Sequence, residues 1–440
     1  MKRKLFKERG QALVIIALAA IGLFGIAALA IDGSIKFSDR RHAQNAADAA
    51  ALAGALALGR EETGWRLNAL DVAGDNGYDD NLVSNTVDVY RCDETGSSCG
   101  AYAGSDEYVQ VIITSTVNTY FARVLGINET QNTVQAVALT RKGGPLFDGA
   151  SIVSLNPSPG CSGGSGSGGG SVDVGGNGTI YLDKGGIFVN SSASCGYSQT
   201  SCSVTITAVN GASITSAGSA INDTCSPTPM PQNTTAEPVV IPHEIYMPDR
   251  PSECSQTAIA PNLLGMDEYG VQNWLIHPGY YTDFPQAGLV PNNKNIYLEP
   301  GVYCVNSDVQ WSGATFKSLD GTSGVTIYIT AGNILSLNIN SPIELNASSS
   351  GEYAGYLFIL DGDESSIENC NVNGGSYLDM NGTIFAPYCN ITINGDNSTL
   401  SEFNAQIIGW DIKLNGNNIM TFTYDPSANA ELKRRIGLMK

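Results

Sequence analysis

Cys389-Asn390-Ile391-Thr392-Ile393-Asn394-Gly395 returns further on as Trp410-Asp411-Ile412-Lys413-Leu414-Asn415-Gly416, and a related run, Cys370-Asn371-Val372-Asn373-Gly374, precedes it. The offsets between the three are 19 and 21. Each run alternates apolar with polar residues and then meets an Asn-Gly turn, the texture of a short strand. A second string, Gly382-Thr383-Ile384-Phe385-Ala386-Pro387, is echoed by Ala405-Gln406-Ile407-Ile408-Gly409-Trp410. Short strands recurring at about 20 residues predict a solenoid. Helical repeats are longer and amphipathic, so a parallel β-helix fits best, with Ile, Val, Leu and Phe stacked inward and Asn laddered at the corners. An antiparallel β-sandwich is the rival, since it too is rich in short strands. On the smaller offset, Cys370 and Cys389 stand in equivalent places of adjacent strands about 4.8 Å apart. The expectation is a cross-rung disulfide or a stacked thiol pair, with Trp410 next in the column.

Upstream the same texture extends to residue 146, giving a β-helical domain over 146–426. It is interrupted by the Gly/Ser-rich run 161–172, read as a loop between rungs, and by the Pro-rich, extended segment 226–254. After it, 427–440 carries Lys433, Arg434, Arg435 and Lys440 and reads as a basic C-terminal tail. Residues 32–145 alternate helical and strand patterns. WRLNALDVAGDNGY (65–78) has helical spacing, and Thr86–Cys92, Glu107–Asn118 and Asn132–Leu139 are strands, which makes a small α+β domain.

Gln11–Ile31 is an uncharged apolar run of about 20 residues, enough for a transmembrane helix. Residues 1–10 hold Lys2, Arg3, Lys4, Lys7 and Arg9, which by the positive-inside rule keep the N-terminus in the cytoplasm and the rest outside. The rival is a cleaved signal peptide, whose apolar region would be shorter and followed by a small-residue cleavage site. Ala47, Ala50, Ala51 and Gly54 then offer a small-residue face for close helix contact.

All ten cysteines lie beyond the apolar run, on the oxidising side. The close pairs Cys92/Cys99 and Cys195/Cys202, with Cys370/Cys389, are the disulfide candidates. Zinc is disfavoured because neither close pair has ribbon spacing. The connectivity of Cys161, Cys225, Cys254 and Cys304 is left open. A net charge of -19 argues against nucleic acid, which needs clustered Lys and Arg.

ERGQALVIIALAAIGLFGIAALAIDGSIKFSDRRHAQNAADAAALAGALAL (8–58) resembles the N-terminal segment of TadG-like proteins of Tad/Flp pilus assembly loci. The motif residues are Asp32, just past the apolar run, and Gln44, Asn45 and Asp48 in the string QNAADAAA. TYFARVLG (119–126), with its flanking strands, resembles the segment after the membrane helix in that family. The resemblance covers about the first third of the chain. It implies a membrane-anchored protein associated with pilus assembly or surface display, with the lipid bilayer and other pilus-assembly or envelope proteins as partners. Many relatives carry a von Willebrand A-type domain, but its Asp-x-Ser-x-Ser motif is missing here. Gly10 before an apolar helix is reminiscent of prepilin-peptidase substrates, although Ile15 stands where those usually carry Glu.

No catalytic, metal or cofactor set emerges. Of the three histidines, His42 lies in the helix after the apolar run and His243 and His277 lie beside prolines. Asp361, Asp363 and Glu364 read as a solvated turn and lack the other ligands of a calcium loop. The expectation is a non-enzyme without cofactor. An adhesin gripping glycan through the β-helix is the alternative, to be favoured by an exposed aromatic row such as Tyr297, Tyr303 and Trp311. An exported carbohydrate-active enzyme is a lesser one.

Overall fold

The structure is a computed structural model that describes residues 11–60, 62–141, 143–160, 170–193, 195–199, 201–217, 221–223, 225, 232–234, 247–284, 294–311, 314–319, 324–338, 342–373, 378–395, 401–432 and 435–439. The basic segment 1–10 with Gly10, residues 161–169 of the loop 161–172 with Cys161, most of 226–254 with His243, and Lys433, Arg434 and Lys440 lie outside them. The chain divides into two units, Met1–Gly144 with Lys433–Lys440, and Pro145–Leu432.

The first unit is a helix laid on an antiparallel sheet. Helix α1 (Gln11–Gly59) runs 49 residues without a break, about 74 Å at 1.5 Å per residue. Its C-terminal part buries Ala43, Ala46, Ala47, Ala50, Ala51 and Ala55 completely, spaced three and four apart so that they form one stripe. They pack with α2 (Trp65–Asp75) and with Val109, Val111, Ile113, Val134, Ala136 and Ala138 of the sheet. Strands β1 (Asn85–Arg91), β2 (Tyr108–Asn118) and β3 (Glu129–Arg141) pair antiparallel in that order. The fourth strand is Arg435–Met439, antiparallel to β3. Of the segment 427–440 expected to be a basic tail, residues 435–439 are therefore a strand of this sheet. Its Ile436, Leu438 and Met439 suit an edge strand, a pattern masked in the sequence by the neighbouring charges.

The second unit is a parallel β-helix with three faces. The first face has ten described strands and the second has eight; the third is built from sheets of six and four joined by the bridge Asn381↔Asn404. Among the described residues the strands of its three faces pair parallel, except that Asn262–Met266 runs antiparallel to Gln272–Ile276 at one end; a single antiparallel bridge, Asp363↔Ser366, closes a turn. The winding is split. The chain enters mid-stack at Ile152–Ser154, Val172–Gly176 and Thr179–Asp183 and winds outward through Ile214–Ala217 to Gln232–Thr234. It resumes at the opposite end with Gln272–Ile276 and winds back, so that its last rung, Ile407–Gly409, Ile412–Gly416 and Ile419–Thr423, pairs with the first. Hydrophobic stacking ignores this seam. Ile384, Ile407, Ile152, Ile187 and Ile214 form one buried column across it, each side chain contributing about 1.5–3 kcal/mol on burial. Gln406 Nε2 donates to the Leu146 and Ala150 carbonyls at 2.8 and 2.7 Å and ties the two arms further.

First-face strands such as Val325–Ile329 and Tyr356–Leu360 are buried at every position. Their outer side is covered by Leu146, Met247, Tyr353 and Ala430, which is why they read as continuous apolar runs. Second-face strands alternate, and Asn394 donates to Asn373 while Asn415 donates to Asn394 at 2.6 Å, an amide ladder at one corner. The register corrects the smaller offset. Glu368 pairs with Cys389 and Cys370 with Ile391, and the laddered Asn373 and Asn394 give the true step, 21 residues. The Cys370–Cys389 disulfide is present with Cα atoms 5.9 Å apart, and it runs diagonally between rungs. Cys92–Cys99 is bonded as well. The pairing of Cys195 with Cys202 is overturned. The extended strand Tyr197–Gln199 separates them, and Asp223 stacks on Gln199. That register brings Cys225 over the chain at Cys202, and these two are bonded; Cys195 is disulfide-bonded elsewhere.

At the seam, the Asp411 carboxylate accepts from Asn156 Nδ2 at 3.0 and 3.2 Å. Burial pushes its pKa from 3.8 up to about 6, against the opposing hydrogen bonds of Asn156 and Ser171. The folded state therefore binds this proton more tightly than the unfolded chain. Stability gains from Asp411 as pH falls from above about 6 to below about 4, and the ionised group costs up to about 3 kcal/mol at pH 8. Asp411→Asn keeps an acceptor for Asn156 and removes the charge. It is expected to stabilise at pH 8 and to lose that part of the pH dependence in urea unfolding at pH 4 and 8. An unaltered difference between the two pH values would contradict this.

Candidate functional site

The most distinctive surface in the first unit is α1 itself. From Val14 to Ile31 its large apolar side chains are 45–76% exposed, and the helix is long and apolar enough, by length and composition, to cross a membrane. The same helix is thus bare at one end and buried in the core at the other. At Gly54 an added Cβ would lie 3.1 Å from Ala69 Cβ and 3.2 Å from Val109 Cγ1, so small residues set how closely sheet and helix approach.

The motif residues have separate tasks. Asp32 accepts backbone N–H bonds from Tyr120 at 2.9 Å, Phe121 at 3.1 Å and Ala122 at 2.7 Å. It caps the short 3-10 turn Ala122–Leu125 within TYFARVLG. The Tyr120 N–H leads, with Ala122 and Phe121 adding, in holding its carboxyl below the usual range against some desolvation. Gln44 Nε2 donates to Asp48 Oδ1 at 2.9 Å and to the Gln135 carbonyl of β3 at 3.0 Å. Asn45 is exposed.

Sequence reasoning missed Asp39. Its carboxylate accepts from Ser115 Oγ at 2.5 Å, Asn132 Nδ2 at 2.7 Å and the Tyr78 hydroxyl at 3.3 Å, joining α1 to two strands. Desolvation, then Asp39, raises the Tyr78 pKa. The available signal was spacing, since Asp39 lies two turns after Asp32 and one turn before Ala43 on one helical face. Asp39→Ala leaves three donors without their acceptor and is expected to cost about 1–3 kcal/mol. Amide exchange across β2 and β3 in the full chain reads this directly, and unchanged protection around Ser115 would refute it.

In the second unit the acidic turn is locally satisfied. Asp361 accepts from the Tyr328 hydroxyl at 2.8 Å and the Gly362 N–H at 2.8 Å. Asp363 accepts from the Ser365 hydroxyl and from its backbone N–H at 2.8 Å, which hold its carboxyl below the usual range. Among the described residues no group of three His, Cys, Asp or Glu is placed to hold a metal ion. Tyr303 and Trp311 are interior, 0% and 2% exposed, and Tyr297 is half-buried, so these three do not form an exposed aromatic row. A groove of about 870 Å³ lies beside the first face, lined by Asp249, Arg250, Glu253, Glu352 and Tyr353 among others. The Tyr353 hydroxyl donates to the Asp249 carbonyl at 2.8 Å.

Residues 10–57 match the Tad family model, Flp pilus-assembly TadE/G-like. The competence-associated pilin ComZ from Thermus thermophilus superposes with a TM-score of 0.31 at 9% identity, over 81% of this chain and 84% of ComZ. A likeness that loose carries no argument. No curated protein matches the sequence.

Proposed function

We propose that the chain is a membrane-anchored, extracytoplasmic structural protein of a Tad/Flp-type pilus or its envelope machinery, without catalytic activity. The observation that carries this reading is α1, bare and apolar over one end and locked into a folded domain at the other. The family match to residues 10–57 supports it. The anchor sits in a bacterial cytoplasmic membrane as a single pass with the N-terminus inside, following the basic residues of 1–10. Its partners are the bilayer and other pilus-assembly or envelope proteins. Fractionation with N-terminal sequencing tests it. The full chain is expected in the membrane pellet, resistant to carbonate, and deletion of 11–31 is expected to release it. A soluble mature chain starting near residue 35 would refute the anchor, whereas a start at Gln11 would point to pilin-like processing. Reproducible polysaccharide turnover abolished by Asp361→Ala would overturn the non-catalytic part.

The adhesin reading has one observation in its favour. Strands Glu368–Asn373, Cys389–Asn394 and Ile412–Gly416 bring Asn369, Asn371, Asn390, Thr392 and Lys413 to the outer side of the second face, a flat grid of hydrogen-bonding groups. Retention on an insoluble neutral polysaccharide, lost in Asn371→Ala/Thr392→Ala, would support it.

A further inference from the structure

The loop Tyr120–Ile127 holds four apolar side chains in solvent. Tyr120 is 68% exposed, Phe121 47%, Val124 89% and Ile127 48%. Single exposed apolar residues are ordinary, but four in one short loop mark a contact surface. The backbone beneath them is firmly held. The loop's base is closed by the Thr119 N–H on the Asn128 carbonyl at 3.0 Å and by the Thr119 hydroxyl on the Ile127 carbonyl. Its 3-10 turn ends on Gly126 at φ 84°, where glycine is the easy residue. Its first three amides are bound by Asp32.

Asp32 fixes the level of this loop. It is the first residue after the uncharged run Gln11–Ile31, which spans about 30 Å as a helix, the thickness of the hydrocarbon layer. A loop bonded to that carboxylate stands where α1 leaves the hydrocarbon. Tyr and Phe belong at that depth, where ring bodies meet acyl chains and a hydroxyl meets headgroups. Exposed Arg123, whose Nη2 donates to Asn118 Oδ1 at 3.2 Å, supplies a cation for lipid phosphate.

The geometry points to a second membrane contact: residues 120–127 form a foot that rests in the headgroup layer of the bilayer α1 crosses, with Val124 and Ile127 facing the acyl boundary. It rests on the anchoring reading above. Two contacts on one bilayer also restrain the tilt and rotation of α1, which a lone span leaves open.

The test uses the full chain in lipid nanodiscs, with an environment-sensitive dye on Val124→Cys or on Ala103→Cys. Ala103 is exposed and lies beside the start of β2, a full strand length from Asn118 at its other end. No cysteine among the described residues is free to compete for dye. The dye at 124 is expected to be blue-shifted and quenched by lipids spin-labelled near the headgroup, and the dye at 103 only by aqueous iodide. Asp32→Ala is expected to weaken lipid quenching at 124 while the chain stays in the disc; unchanged quenching would remove Asp32 from the foot. Iodide quenching of 124 equal to that of 103, in chains that do insert, overturns the foot and leaves the anchor standing. A chain that never inserts overturns the anchor instead. A blue shift that vanishes at one chain per disc would assign the patch to a second copy and overturn the foot.

Discussion

Trp311→Ala is expected to lower the free energy of unfolding by about 3–5 kcal/mol, in the upper range for a core truncation. Trp311 is 2% exposed and stacks on Phe316 with ring centroids 3.8 Å apart and planes 10° from parallel. Phe284 and Phe358 close around it at 6.1 and 5.8 Å. Truncation therefore opens a cavity whose walls are ring faces in a cross-rung lattice, and such walls collapse poorly. The indole N–H has no hydrogen-bond partner among the described residues, so the stabilisation lies in area and stacking. Trp311→Phe should then cost about 1 kcal/mol or less, since it keeps a ring and removes a buried donor. Urea unfolding of both variants checks the pair. Equal losses would show that the N–H, and not the packing, carries the site.

Replacing Cys254 and Cys304 together by Ala should cost about 4 kcal/mol, the value the chain-entropy relation gives for a loop of this size. The bond joins residues 50 apart in sequence. It pins the turn Ser252–Ser255 to Gly301–Val305, the second strand of the returning arm on the first face. Cys304 lies in the cluster that covers this face, with Met247, Tyr328 and Tyr353. Cys92–Cys99 closes a separation of only 7, and its removal should cost about 2 kcal/mol on the same relation. The denaturation midpoints of the two double variants decide the matter. Losses of equal size would mean that loop closure is not what these bonds contribute.

The β-helix was legible because burial on one side of a strand imposes a period of two, and stacked rungs impose a longer period on top of it. Ile391/Ile393 and Ile412/Leu414 carry both signals, and they pair in register, rung on rung. The smaller offset failed because it matched cysteine to cysteine. Matching inward positions would have set Cys370 and Val372 over Ile391 and Ile393. The split winding left no local trace: Ile152 pairs with Ile407 through contacts that no short repeat encodes. Whether Tyr303 and Trp311 face out or in was not legible, because alternation alone does not say which side of a strand is inside. In the first unit, Asp32 stood out as a motif residue. Its task did not, since its partners are backbone amides far along the chain, at Tyr120, Phe121 and Ala122, and backbone donors have no sequence signature.

The pairing of β3 with Arg435–Met439 sets an order of events during synthesis. Strand β3 ends at Arg141 and its partner begins at Arg435, and all of the β-helical unit lies between them in the chain. A chain made from its N-terminus leaves one edge of β3 open until Arg435–Met439 emerge, and an open edge is a template for mispairing. The sheet of the first unit thus gains its fourth strand only after the whole β-helical unit has been made. A chain that stops before Arg435 keeps only β1, β2 and β3, with the outer edge of β3 open, so the sheet made first depends on residues made some three hundred positions later.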